Sequence, residues 1–299
     1  MATNSIRVDA STSFVRRFAY FFITLLTILC LIPFLLMLGT SFTSESAVRE
    51  FGFNIWPKDF DILAYKLVFE NPDMVIGSYI VTILMTVFGT IIGLFLVSMA
   101  GYALQRPDFA FRNQISFYIY FTTLFSGGLV PFYLLIVRIL RLKNNYLAVF
   151  LPSLMSPWLI ILMKNFTKSI PFAITESAKI DGASDFRIFL NIILPMSKPA
   201  LATVGLFLAL TYWNEWYNSM LFLEANMDYR PLQLFLYNVV NKVEYIKNSA
   251  ASSNIPPMDV PLETMKMATA IVATGPIVLV YPFIQKYFIK GITIGAVKG

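Results

Sequence analysis

The sequence predicts an all-α polytopic membrane protein with six transmembrane helices. Hydrophobic residues make up 57% of the 299 residues and charged residues only 13%, and the mean hydropathy is +0.68. A soluble chain could not bury that much apolar surface, so lipid must supply part of the solvent. The apolar stretches are continuous and lack the alternation of β-barrel strands, which predicts helices.

Six windows reach the length of about 20 mainly apolar residues that a helical span requires. The first is too long for the apolar core of a secretory signal, and no small-x-small cleavage site follows it, so we expect it to be retained. Numbered in chain order, the six predicted spans are 18–38, 79–104, 115–137, 147–166, 200–223 and 265–288.

Basic residues favour an N-in, C-in orientation. Arg16 and Arg17 precede the first span, and Arg106 and Arg112 lie in a short loop after the second. A short basic cluster on the opposite side, at 138–143, is an exception to this rule. The predicted organisation is a cytoplasmic N-terminus 1–17, a six-helix domain 18–288 with a cytoplasmic loop 165–198 and outer loops 39–78 and 224–264, and a cytoplasmic C-terminal tail 289–299.

Composition excludes most catalytic chemistry. The chain has no histidine, and its one cysteine, Cys30, lies in an apolar run. Zinc sites, Cys/His nucleophile pairs and intrachain disulfides are therefore excluded or nearly so, and no G-x-x-x-x-G-K-[ST] nucleotide site is present. We expect no enzyme, no catalytic residue, no metal site and no cofactor in this chain. The net charge of +6 reflects anchoring at the membrane surface rather than nucleic-acid binding.

The cytoplasmic loop 165–198 is too polar to enter the bilayer and reads as helix, turn, helix. Pro171 suits the first turn of a helix that continues through residues 176–180. Gly182 then falls where a left-handed residue closes the helix, and Ser184 is placed to cap the next helix. In that second helix one predicted apolar face contains Phe186, Phe189, Leu190 and Ile193.

Two other patterns concern helix packing and the outer loop. Gly89 and Gly93 in span two form a Gly-x-x-x-Gly face, which predicts close packing between helices.

Pro231 can open a helix in the second outer loop. This helix is predicted to act either as a lid on the span ends or as a docking platform for an external partner. The apolar face of that helix contains Leu232, Phe235, Leu236, Val239, Val240 and Val243.

The cytoplasmic loop resembles the EAA loop of bacterial ABC-importer permeases. The family pattern is Glu-Ala-Ala, three residues, Gly, nine residues, Ile, one residue and Leu-Pro. This chain places Glu, Ser and Ala at 176–178, with Ser177 the one departure, and matches the rest of the pattern with Gly182, Ile192, Leu194 and Pro195. The sequence of residues 180–184, Ile-Asp-Gly-Ala-Ser, is similar to that of the carbohydrate-uptake, maltose-type branch of this family.

Further segments resemble the LplC/YtcP-like oligosaccharide permeases of that branch. They are Phe-Ser-Gly-Gly-Leu-Val-Pro at 125–131, Trp-Asn-Glu-Trp at 213–216 and Thr-Ile-Gly-Ala-Val-Lys-Gly at 293–299. The resemblance covers nearly the whole chain. It implies the type I permease fold of ABC importers and a multi-pass protein of the bacterial cytoplasmic (inner or plasma) membrane.

The resemblance also implies partners and a division of labour. In such permeases the short helix of the loop is a coupling helix that docks onto an ATPase, which binds the ATP and magnesium. The implied partners are a second, homologous permease, an ATPase dimer and an extracytoplasmic solute-binding protein. The residues assigned to coupling are Glu176, Ser177, Ala178, Asp181, Gly182 and Ala183.

Glu215 is the one acid in an apolar span, and aromatic residues flank it. Intramembrane carboxylates are costly and usually functional, and aromatic faces beside polar groups suit sugar rings. An interfacial aromatic belt is the alternative. Gly127, Gly128 and Pro131 in span three are predicted to interrupt the helix, and such breaks are tolerated where the backbone lines a cavity or where neighbouring helices satisfy it. The candidates for the solute path are Tyr212, Trp213, Asn214, Glu215, Trp216, Tyr217, Gly127 and Gly128.

The favoured function is uptake of an oligosaccharide, derived from a polysaccharide, by a binding-protein-dependent ABC importer. One alternative is an ion-coupled secondary transporter, which would need paired ionisable residues near the bilayer midplane where this sequence offers Glu215 alone. Another is a permease of the same kind for a solute other than a sugar.

Overall fold

The computed structural model describes residues 10–224, 227, 229–252 and 261–296. Over these residues the chain is helical, without a strand and with one isolated bridge between Thr43 and Phe60. In chain order the α-helices are α1 Ala10–Ser41, α2 Glu45–Phe51, α3 Leu63–Val68, α4 Pro72–Gln105, α5 Arg112–Leu124, α6 Leu129–Leu134, α7 Tyr146–Phe150, α8 Pro157–Thr167, α9 Phe172–Ile180, α10 Asp185–Ile188, α11 Leu194–Met196, α12 Lys198–Trp213, α13 Tyr217–Phe222, α14 Leu232–Ser252 and α15 Leu262–Ala296.

The helices fall into two compact units. The first unit comprises Met1–Glu70 and Val239–Thr274, and the second comprises Asn71–Asn238 and Gly275–Gly299. In the first unit the Glu45 carboxylate accepts the backbone N–H groups of Glu263 and Thr264, at 3.0 and 3.1 Å, and so caps the start of α15. The second unit contains α4–α13, which include the predicted cytoplasmic loop 165–198.

Four helical stretches are long and apolar enough to cross a membrane, and they match predicted spans one, two, four and six. They are Phe14–Ser41, Pro72–Gln105, Tyr146–Thr167 and Leu262–Leu279. Two bent helix pairs pass the same criteria when each is taken together, so the described residues contain four candidate spans, or up to six if each pair counts as one. The pairs are Arg112–Leu124 with Leu129–Ile139, bent by 116°, and Asp185–Met196 with Lys198–Trp213, bent by 86°.

Predicted span five, 200–223, is wrong as a continuous helix. Helix α12 ends at Trp213, and α13 begins only at Tyr217. With 16 residues at 1.5 Å each, α12 is about 24 Å long, shorter than the hydrocarbon core of about 30 Å. At the break Glu215 accepts the backbone N–H of Asn218 at 2.7 Å, and so satisfies a donor in the first turn of α13 that has no intrahelical partner.

The predicted break in span three is confirmed, with one correction. Helix α5 ends at Leu124 and α6 starts at Leu129, and Gly128 between them has a φ of 88° that favours glycine. Pro131, in contrast, does not interrupt the helix. It is the third residue of α6, within the first turn, where backbone N–H groups have no intrahelical partner in any case.

Helix α14 confirms the predicted amphipathic helix after Pro231. Leu232, Leu236 and Val243 are buried as expected, and Leu234 is buried as well. Whether this helix serves as a lid or a docking platform stays a prediction. The last helix, α15, continues as far as Ala296, and so through most of the predicted C-terminal tail. Lys298 and its neighbours 297 and 299 lie outside the described residues.

Helix α4 is the packing centre of the second unit, and its glycines permit the contacts. Gly89 lies against the ring of Tyr212 in α12, and Gly93 lies beside Leu208 of the same helix. A Cβ on Gly101 would come within 2.9 Å of the backbone nitrogen of Lys164 in α8. The predicted close packing at the span-two glycines is therefore confirmed. The buried cluster around them contains Val97, Leu104, Leu159, Ile160, Met163, Ala200, Val204 and Leu208.

We expect Gly89→Ala to destabilise the second unit by about 1–3 kcal/mol, the usual range for overpacking. The added methyl group would overlap the Tyr212 ring, which is 1% exposed and held by a hydrogen bond to the Phe150 carbonyl. The matched control is Gly205→Ala in α12, where the nearest atom to a Cβ lies at an ordinary 3.6 Å. Thermal unfolding in detergent measures both variants, and equal melting temperatures would contradict the packing argument.

Candidate coupling loop and solute path

The turn of the predicted cytoplasmic loop is a Schellman motif centred on Gly182. Pro171 precedes α9, and the helix ends at Ile180. The N–H of Gly182 then donates to the Lys179 carbonyl at 3.0 Å, and the N–H of Ala183 donates to the Ala178 carbonyl at 2.9 Å. Gly182 has a φ of 79°, so the predicted left-handed glycine at this position is confirmed.

The second helix of the loop starts as predicted but buries a different face. The Ser184 hydroxyl accepts the N–H of Arg187, which confirms the cap. A π-helical turn at Phe189–Ile193 then shifts the register of the side chains. Phe189 and Ile193 are buried as expected and Ile188 is buried as well, whereas Phe186 is 56% exposed and Leu190 is 36% exposed. The predicted apolar face is therefore wrong for Phe186 and Leu190.

Apolar contacts anchor the loop to the end of α4. The ring of Phe189 stacks on Tyr102 with centroids 5.7 Å apart and meets Phe95 edge-on at 5.9 Å. Ile188, Ile193 and Ala178 complete the same buried cluster. The loop is thus packed on the side chains of span two and is not a free hairpin.

An ion-pair network of four residues, Arg106, Asp108, Lys179 and Asp185, reinforces this anchor. Arg106 binds Asp108 through two nitrogens, Nε at 2.8 Å and Nη2, and its Nη1 lies 2.7 Å from Asp185. Lys179 Nζ lies 2.6 Å from Asp108 and 3.6 Å from Asp185. Since Lys179 lies in the last turn of α9 and Asp185 starts α10, the network links both sides of the Gly182 turn to the segment after α4.

The network shifts the pKa values of three of its members. Hydrogen bonds from Arg106, and next from Lys179, hold the pKa of the Asp108 carboxyl far below its usual range. The bond to Asp108 in turn raises the pKa of Arg106 and of Lys179. A carboxyl with a lowered pKa stabilises the folded state above about pH 4, and the contribution is lost only as the pH falls toward the folded pKa.

The coupling candidates divide between the surface and the interior of the loop. Glu176, Ser177, Asp181 and Gly182 are exposed. Ala178 is 9% exposed and packs in the cluster with Tyr102, and Ala183 is half-buried against the same cluster. In this structure the two alanines shape the loop, and the other four residues are available at its surface.

The sequence reasoning missed Ile180. Its side chain is 86% exposed in a loop predicted to lie outside the bilayer, and it lies one helical turn after Glu176 on the end of α9. The signal was present in the sequence, because an isoleucine stood at i+4 from the predicted docking glutamate. Glu176 and Ile180 together form an exposed surface that we call the coupling tip.

The predicted solute-path residues in α12 lie mainly inside the protein. Tyr212 is 1% exposed, its ring packs on Phe150, and its hydroxyl donates to the Phe150 carbonyl at 2.9 Å. Trp213 is half-buried at the end of the helix. Asn214 is exposed, and its side-chain amide donates to the Leu210 carbonyl at 2.9 Å.

Glu215 is 8% exposed and caps the first turn of α13 from the position before the N-cap residue, Trp216. One carboxylate oxygen accepts the backbone N–H of Asn218 at 2.7 Å, and the other accepts its side-chain amide at 2.9 Å. These bonds explain how the carboxylate is tolerated in an apolar segment. They favour a structural role over a direct role as a solute-binding anion.

An exposed aromatic group lies next to this cap. Trp216 is 38% exposed, Tyr217 is 44% exposed, and their rings meet edge-on at 5.8 Å. Tyr237 of α14 lies 4.8 Å from Trp216, centroid to centroid, with the rings tilted by 30°. We call Trp216, Tyr217 and Tyr237 the aromatic group. Tyr237 was missed because its place in an outer-loop helix gave no sign of this contact.

Gly127 and Gly128 lie in the break of span three and are exposed. An added Cβ on Gly128 would have no atom within 4 Å, and one on Gly127 would meet only Pro131 at 3.9 Å. The Gly128 N–H donates to the Ser126 hydroxyl at 3.2 Å. The glycines therefore serve the local bend, and their contact with a solute stays a prediction.

The comparisons with known proteins agree with this architecture. No protein-family model matches the chain. It is 39% identical over 282 residues to the polygalacturonan/rhamnogalacturonan transport system permease protein YtcP of Bacillus subtilis (strain 168), which covers 94% of this chain and 96% of YtcP. It is 38% identical over 271 residues to Protein LplC of the same organism, 90% of each chain.

A solved structure shows the same fold. It belongs to a bacterial ABC transporter involved in the import of the acidic polysaccharide alginate, with a TM-score of 0.78 and 30% identity, and the match covers 94% of this chain and 98% of that chain. Helical spans, a loop 165–198 anchored to α4 and this likeness define a multi-pass membrane permease. The chain belongs to the family of ABC sugar-transport permeases. Its relatives are transport proteins and not enzymes, which agrees with the expected lack of catalysis.

Proposed function

We propose that this chain is the transmembrane permease subunit of a binding-protein-dependent ABC importer that carries an oligosaccharide into a bacterial cell through the cytoplasmic membrane. The observation that best supports the proposal is the coupling tip, which is exposed on a loop that packs against α4. An apolar side chain that is 86% exposed beside a carboxylate is suited to docking in a groove of a partner protein.

The partner that fits this surface is an ATPase subunit. The chain has no nucleotide-binding motif, so ATP and magnesium are bound elsewhere in the complex. Glu176 offers a carboxylate for a basic residue, Ile180 offers an apolar anchor, and Gly182 allows close backbone approach. The remaining partners are a second, homologous permease and an external solute-binding protein.

An oligosaccharide is the solute that the aromatic group and the relatives favour. Aromatic ring faces pack against the CH faces of sugars, and neighbouring polar groups can bind hydroxyls. YtcP is named for the transport of polygalacturonan and rhamnogalacturonan, and the solved relative takes part in the import of an acidic polysaccharide. We therefore propose a solute derived from a polysaccharide.

The docking proposal is tested by Glu176→Lys. We expect this charge reversal to lower the yield of co-purified ATPase at moderate salt, because a desolvated ion pair is costly to break. The matched control is Glu70→Lys, an exposed glutamate in the predicted outer loop on the opposite side of the membrane. Equal ATPase yields from the two variants would count against docking through Glu176. Mass spectrometry of the purified wild-type complex identifies the subunits and any retained oligosaccharide.

A further inference from the structure

A cavity of about 210 Å³ lies between α4, α5 and α8 in the second unit. Its polar wall contains Ser116, Tyr120, Lys164 and Asn165, and its apolar wall includes Ile119 and Ile160. The volume is below the range of about 300–1,000 Å³ that is usual for whole drug-sized ligands, so the cavity is too small for an oligosaccharide. It fits one small polar group that continues into an apolar chain.

Lys164 gives this cavity an uncompensated positive charge. Its Nζ donates to the Ser116 hydroxyl at 2.7 Å, which uses one of its three N–H groups. Among the described residues no carboxylate lies within 4.0 Å of Lys164, Arg112 or Lys168. Lys168 lies one helical turn after Lys164 at the end of α8, and Arg112 lies one turn before Ser116 in α5, so both place further positive charge near Lys164. Three neighbouring cations without an acidic partner attract an anion.

The position of the cavity along the helices indicates which anion. Lys164 lies in the last turn of α8, where predicted span four passes into the cytoplasmic loop, and Arg112 is the first residue of α5. Both residues therefore sit near the boundary between membrane and water, on the side of the coupling loop. Lipid phosphates lie at that depth, and basic pockets between transmembrane helices bind anionic headgroups.

We propose that this cavity binds the phosphate of an anionic phospholipid. Lys164 pairs with the phosphate, Ser116 and Asn165 donate hydrogen bonds to it, and Arg112 and Lys168 add long-range attraction. The isoleucines of the apolar wall pack against the start of an acyl chain. The proposal needs only that the chain spans a membrane, so it is independent of the proposed solute.

Native mass spectrometry of the complete transporter tests the proposal. The wild-type complex is purified with equal amounts of phosphatidylglycerol and phosphatidylcholine, and the lipids that remain bound are counted. We expect selective retention of phosphatidylglycerol, a loss of about tenfold in Lys164→Met, and retention in Lys164→Arg. Lys198→Met is the matched control, an exposed lysine at the start of α12 on the same side.

A second variant and a competitor complete the test. Ser116→Asp places a carboxylate beside Lys164 and should release the lipid by supplying its partner internally, even if Lys164→Met fails to fold. Excess inorganic phosphate should leave the lipid bound. The proposal is overturned if wild type shows no preference for the anionic lipid, if Ser116→Asp and Lys164→Met retain it fully, or if Lys198→Met loses it equally. Displacement by phosphate would assign the cavity to a free anion instead.

Discussion

Gly182→Asn and Gly182→Asp are expected to lower solute uptake and solute-stimulated ATP hydrolysis by about tenfold or more, with the membrane domain still folded. In this chain nothing lies within 4 Å of an added Cβ at Gly182, so the new side chain projects into the space that the ATPase would occupy. Losing about 1.4 kcal/mol of contact there corresponds to a tenfold change in binding. Assays of the reconstituted complex measure both activities.

Backbone strain is the competing explanation, and two controls separate it from blocked docking. A left-handed conformation costs an alanine about 1–2 kcal/mol, whereas asparagine tolerates it better. Blocked docking therefore predicts that Gly182→Asn is more harmful than Gly182→Ala, and strain predicts the reverse order. Gly52 at the end of α2 has a φ of 72° and equally open surroundings, but its ψ of −166° lies in a region that is essentially restricted to glycine, so Gly52→Asn imposes at least as much backbone strain at a site outside the loop. Normal coupling in both Gly182 variants would remove the basis for the coupling tip.

Trp216→Leu is expected to lower uptake about five- to thirtyfold at subsaturating solute, with normal assembly of the complex. Leucine retains apolar bulk but lacks a flat aromatic face, and one stacking surface is worth about 1–2 kcal/mol. Trp216→Phe keeps a ring face toward Tyr237 and should retain most of the uptake. If both variants transport at the wild-type rate, the aromatic group is an interfacial belt and not part of the solute path.

The same assay decides the role of Glu215. Glutamine keeps an acceptor for the Asn218 N–H, so the cap that we describe predicts nearly normal uptake in Glu215→Gln. Glu215→Ala should instead destabilise the protein by about 0.5–2 kcal/mol, the usual cost of a lost cap. A loss of uptake in the glutamine variant, with unchanged stability, would restore the carboxylate as a solute-binding anion.

Features determined by local chemistry could be predicted from the sequence. Gly182 and Ser184 were identified because a helix end needs a left-handed residue and a helix start needs a side-chain acceptor. Both requirements involve only neighbours along the chain. The close packing at the Gly-x-x-x-Gly face of span two could also be predicted, because a helix that lacks side chains on one face can approach another helix closely.

Features that depend on distant contacts or on a change of helical register could not be predicted. Lys179 and Asp108 are 71 positions apart, and no sequence pattern indicates that they form an ion pair. The burial of Ile188 in place of Phe186 follows from a π-helical turn, which a regular 3.6-residue period cannot anticipate. Glu215 was recognised as exceptional, but its role as a cap required the break between α12 and α13.

The attachment of the coupling loop to α4 determines how a force that a partner applies to this loop would be transmitted through the chain. Helix α4 runs without a break for 34 residues, about 51 Å, whereas spans three and five are each interrupted. A displacement at the coupling tip would therefore be transmitted along the whole length of α4. It would reach the opposite end of the helix near Gly77, which lies against the ring of Tyr229. The segment leading into α14 would then move in response to a displacement that began on the other side of the membrane.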